Sequence, residues 1–138
     1  DSIKLQLTDL MDVGELGYVE GISKIIVKNL NNLDETERPI HCTDKKRETM
    51  YIKDEDKWQK DEEKKNLKKV IKTVANKNIR LLPQFREKYP EYNNSRHTIS
   101  DTYDKIVIEA MGGSGENTLE KEDKIIKNIT KVAVINKE

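Results

Sequence analysis

Three side chains in this sequence have the chemistry of soft metal ligands: His41, Cys42 and His97. A structural zinc site takes four ligands, usually as two closely spaced pairs. His41 and Cys42 are adjacent, which sets them awkwardly for one tetrahedron, and a carboxylate would have to supply the fourth ligand. The same residues make a poor nucleophile and base. In a strand His41 points away from Cys42, and His97 falls in a polar loop. Cys42 therefore reads as a small buried strand residue. No catalytic, cofactor or metal site is assigned.

Gly112-Gly113-Ser114-Gly115 has the composition of a phosphate cradle. A phosphate loop lies between a strand and a helix and ends in Gly-Lys-Ser/Thr. Here the glycines separate two helical patterns, so a helix C-cap is the better reading. Carboxylates are plentiful, yet none forms a spaced pair suited to acid and base roles. A metal-dependent nuclease built on clustered acids ranks last among the readings. Lys45, Lys46 and Arg47, with Lys64, Lys68 and Lys72, are the one candidate patch for nucleic acid. Asp44, Glu48, Asp54 and Glu55 oppose it, so a solvated mixed face is the plainer reading.

The elements that position these residues are set by periodicity. Leu5 and Leu7 alternate with polar residues, and Gly14 and Gly17 punctuate the next stretch, giving a short extended piece and then a brief helix or turn. Tyr18 to Leu33 has helical spacing through Ile22, Ile25, Ile26 and Leu30. From Ile40 to Lys60 the period becomes two, which predicts a β-hairpin with Ile40–Thr43 as a candidate third strand. Trp58, Tyr51 and Met50 are the expected contacts between it and a helix. Asp61 to Asn78 predicts a helix with a Leu67, Val70, Ile71, Val74 and Ala75 stripe and acids in its first turn. A shorter helix breaks near Pro83 and ends at Pro90. Thr98 is a candidate N-cap for the next, with Asp101 in capping-box position. A last helix carries Leu119, Ile125, Ile126, Ile129 and Val132. The expected class is α+β and mostly helical, with four to five helices and a hairpin near residues 40–60. One domain spans 1–138, with 1–60 as the helix-plus-hairpin portion and 61–138 as the helical portion.

Composition limits what this fold can be asked to do. The chain has 138 residues, of which 34% are hydrophobic and 38% charged. That predicts a thin core under long solvated helix faces, with a partner chain adding stability. Lysine plus arginine and aspartate plus glutamate number 26 each, so the formal net charge is zero. A surface basic throughout, as whole-face nucleic-acid binding requires, is excluded. The single cysteine allows no intrachain disulfide and fits a reducing compartment. No apolar run is long enough to span a bilayer. The opening Asp1-Ser2-Ile3-Lys4 has no signal-peptide form and reads as the start of an excised piece of a longer chain.

The strings Gly17-Tyr18-Val19-Glu20-Gly21-Ile22-Ser23-Lys24-Ile25-Ile26, then Arg38-Pro39-Ile40-His41-Cys42-Thr43-Asp44, Thr49-Met50-Tyr51-Ile52-Lys53-Asp54 and Trp58 are distinctive. So are Lys77-Asn78-Ile79, Ala110-Met111-Gly112-Gly113 and Ile125-Ile126-Lys127-Asn128-Ile129. Together they resemble the C-terminal region of an uncharacterised zinc-finger and coiled-coil protein family of giant DNA viruses. The resemblance implies a viral origin, a place in the infected cell or virion, and a C-terminal module trailing a multipart chain. The finger itself is absent here, and the family supplies no catalytic residues to carry over. The expected function is a non-catalytic interaction or oligomerisation module. Its partner would be a second copy or another viral protein, and Leu119, Ile125, Ile129 and Val132 its contact surface. Nucleic-acid binding through the Lys/Arg patch is the alternative.

Overall fold

The computed structural model describes residues 4–33, 40–44, 49–54, 57–61, 64–113 and 118–133. Helices dominate. They are α1 (Leu7–Leu16), α2 (Tyr18–Asn31), α3 (Lys65–Ile79), α4 (Leu82–Lys88), α5 (Thr98–Ala110) and α6 (Thr118–Ala133), with a 3-10 turn at Pro90–Asn93. Between α2 and α3 lie β1 (Ile40–Asp44), β2 (Thr49–Asp54) and β3 (Lys57–Lys60), antiparallel in the order β1-β2-β3.

The apolar stripes converge on two clusters. One joins Ile22, Ile25 and Ile26 of α2 with Leu67, Ile71 and Val74 of α3, and with Ile125, Ile126 and Ile129 of α6. The other gathers Leu10 of α1, Phe85 of α4 and Ile106 and Ala110 of α5. Burial of a large aliphatic side chain contributes about 1.5–3 kcal/mol, so these few positions carry a chain that is otherwise heavily charged.

Between the clusters α1 packs against both α2 and α5. Gly14, a punctuation residue by its sequence setting, lies inside α1, a ten-residue helix. A methyl group on Gly14 would come within 2.5 Å of Ile106 Cγ1, so the missing side chain lets α5 approach. Gly17, at φ +95°, divides α1 from α2. Two ion pairs lace these helices: Lys28 Nζ lies 2.7 Å from Asp9 Oδ1, and Lys24 Nζ 3.0 Å from Asp12 Oδ2.

The strands meet the helices differently from expectation. Ile40 of β1 is buried in the first cluster, and β1 contacts α6. Trp58, expected as the anchor, is 41% exposed, while the side chain of Met50 lies outside the described residues. The third helix also starts later than its acids imply. Asp61 lies ahead of it, buried, and accepts the Asn66 and Leu67 backbone N–H groups at 2.8 and 2.9 Å. Lys64, at φ 56°, makes the turn into the helix. No helix among the described residues is long and apolar enough to cross a membrane.

Candidate interaction cleft

The C-terminal end of α5 fixes one wall of a cleft. The Gly113 N–H reaches back to the Ile108 carbonyl and the Gly112 N–H to the Glu109 carbonyl, a Schellman closure. Gly112 takes φ +116°, which a side chain would resist. The glycine pair is thus a helix terminus, as its setting between helical patterns predicts; Ser114 and Gly115 lie outside the described residues.

Charged groups from neighbouring helices complete this end. Lys121, nine-tenths buried on α6, donates through Nζ to the Gly112 carbonyl. A cation there complements the negative end of α5. Glu109 lies beside the same glycine pair, and its Oε1 accepts the Tyr18 backbone N–H at 3.3 Å. It thereby serves the N-terminus of α2, where Gly17 has no side chain to offer.

Two adjoining hollows share Tyr18, Gly112 and Lys121. One, of about 280 Å³, runs between α3, α5 and α6 and is walled by Ala75, Ile79, Ala110 and Met111. Glu122 lines it with only 4% of its surface exposed. Burial, and secondarily the Glu122 charge, raises the Tyr18 phenol above its ordinary pKa of 10.0. The second hollow is more open and bordered by Leu16, Val19 and Lys124.

Apart from the glycine pair and Lys72, the residues singled out from sequence fall elsewhere. Lys45, Lys46 and Arg47 lie outside the described residues. Lys64 belongs to the entry of α3, and Lys68 is half-buried one turn on. Lys72 is exposed and borders the cleft. Of the proposed contact surface, Leu119 is 66% exposed and Val132 half-buried. Ile125 and Ile129 are corrected: both are fully buried, because α6 spends that stripe on α2 and β1. His97 caps α5, its Nδ1 accepting the Ile99 N–H at 3.1 Å, in the place expected of Thr98. Among the described residues no three His, Cys, Asp or Glu side chains gather to hold a metal ion.

Tyr18, Glu109, Lys121 and Glu122 do not stand out in the sequence as site residues. Lys121 and Glu122 leave a signal, since they stand in line with Ile125 and Ile126 one turn on along α6, where apolar residues belong. Comparison with family models, with curated proteins and with solved structures finds no match.

Proposed function

We propose that this domain is a non-catalytic self-association module that docks a second copy at the end of the molecule formed by the α1 and α5 C-termini and the α6 N-terminus. The observation that carries this reading is the set of large apolar side chains left in water there. Met111 is 69% exposed, Leu119 66%, Ile108 54% and Leu16 46%. Ile108 and Met111 share one face of α5, and Leu16 and Met111 border adjoining hollows. Apolar side chains grouped in this way mark an interaction surface, whereas scattered ones do not.

A second copy suits the surface because the formal net charge is zero, so no overall repulsion opposes approach. The resemblance to modules that trail a coiled coil points the same way, since a coiled coil would bring copies together.

Sedimentation of the purified chain from low to high micromolar concentration tests the reading. Reversible association is expected, weakened about tenfold or more in Met111→Asp and Leu119→Asp. A wild-type chain that stays monomeric throughout, or association indifferent to both changes, would overturn it.

A further inference from the structure

The pairing of the strands sorts their residues into two rows. Ile40 of β1 pairs with Ile52 of β2, and Ile52 with Gln59 of β3. Ile40 is buried in the first cluster, so this row marks the side of the sheet that meets the helices. The alternate row belongs to the opposite face. There Tyr51 pairs with Lys60, and Lys53 with Trp58. Trp58 is 41% exposed, Lys53 and Lys60 are exposed, and Tyr51 is half-buried. Two aromatic rings and two ammonium groups thus alternate across β2 and β3 on one outward face.

From this face we infer a second binding site, for single-stranded nucleic acid, separate from the apolar docking end. Residues directly opposite on paired strands stand about 4.5–5.5 Å apart and diagonal ones about 7–8 Å. Each ring therefore has a cation across from it. The two rings lie on the diagonal, at more than the roughly 3.4 Å rise of one nucleotide along a stacked strand, so each can take its own base. Stacking accepts any base, because every base has a π face, while the ammonium groups meet the phosphates. An acidic peptide would use the lysines and leave the tryptophan in water. A double helix keeps its bases stacked inside and offers the rings nothing. The acids nearby do not cancel the face: Asp54 pairs with Lys57 in the row of Ile52, and the Asp61 carboxylate is taken by the Asn66 and Leu67 N–H groups. A contact confined to one face is also what zero net charge allows.

Trp58 is the chain's single tryptophan, so its fluorescence reports the contact directly. The full chain is titrated at low salt with oligothymidylate, with the duplex of that strand and oligoadenylate, and with polyglutamate. Saturable quenching is expected from the single strand, with affinity about tenfold above that for either other probe. Trp58→Ala, followed by anisotropy of labelled oligothymidylate, should weaken binding about tenfold, and Trp58→Phe should restore most of the loss. Lys53→Gln combined with Lys60→Gln should flatten the slope of log affinity against log salt by about 1.4, the value for two phosphates on a single strand. No binding by the wild-type chain at low salt, equal affinity for all three probes, or a preference for duplex or polyglutamate overturns the inference, and these outcomes need no variant. The site shares no residue with the docking end, so its failure leaves the self-association reading untouched.

Discussion

Gly21 of α2 lies so close to Val13 of α1 that a methyl group on it would come within 2.6 Å of the Val13 Cα. The obstacle is backbone, so no rotamer change relieves it. Alanine is the better helix former by about 1 kcal/mol, yet Gly21→Ala is expected to lower stability by about 1–3 kcal/mol through the forced separation of the helices. Urea denaturation measures this, with Lys127→Ala on the exposed side of α6 as the neutral reference. An unchanged midpoint would mean that α1 and α2 can part without cost.

Asp61 acts from outside α3, ahead of its first turn. Its two oxygens take separate backbone N–H groups, those of Asn66 and Leu67, in a buried setting. Asp61→Ala should cost about 1–2 kcal/mol, the upper part of the range for a lost cap. Asp61→Asn, keeping one acceptor oxygen, should cost less. Amide exchange at Asn66 and Leu67 should accelerate in the alanine variant more than exchange at Val74; a uniform change along the helix would contradict a capping role.

The helical stripes are legible in the sequence because burial repeats with the turn. Leu67, Ile71, Val74 and Ala75 are read from spacing and are buried together. Which surface a stripe covers is not a local property, and for this reason spacing alone assigns Ile125 and Ile129 outward. The Glu109 contact to Tyr18 joins residues 91 apart in sequence, a separation that no spacing rule reaches. Gly14 and Gly21 look like helix breakers until the neighbouring helix is known. Asp61 looks like a first-turn acid because a cap acting across several residues has no fixed sequence offset.

Asn78 continues the Leu67, Ile71 and Val74 stripe of α3 and is fully buried, with neither its amide nitrogen nor its oxygen hydrogen-bonded among the described residues. A buried amide without partners costs about 1–3 kcal/mol relative to one that is satisfied. Asn78→Leu, close in size and apolar, should therefore raise stability by about 1 kcal/mol or more, whereas Asn78→Ala should lose packing and gain little. A rise in the unfolding midpoint for leucine over wild type tests this. Destabilisation by leucine would place a bridging water on the amide instead.

Tyr18 supplies the pH dependence that the cleft predicts. Burial and the neighbouring Glu122 charge both disfavour the phenolate, so its pKa is higher in the folded chain than in the unfolded one. The folded state then holds the proton more tightly. Its stabilisation is complete below the ordinary phenol value of 10.0 and disappears as pH rises through the folded value. Stability measured from pH 8 to 11 should fall more steeply in wild type than in Tyr18→Phe. In Glu122→Gln the 295 nm titration of Tyr18 should move downward, though only in part, since burial is the larger cause. An identical alkaline slope in wild type and Tyr18→Phe would mean that the phenol stands in water, and that Glu122 does not face it across the cleft.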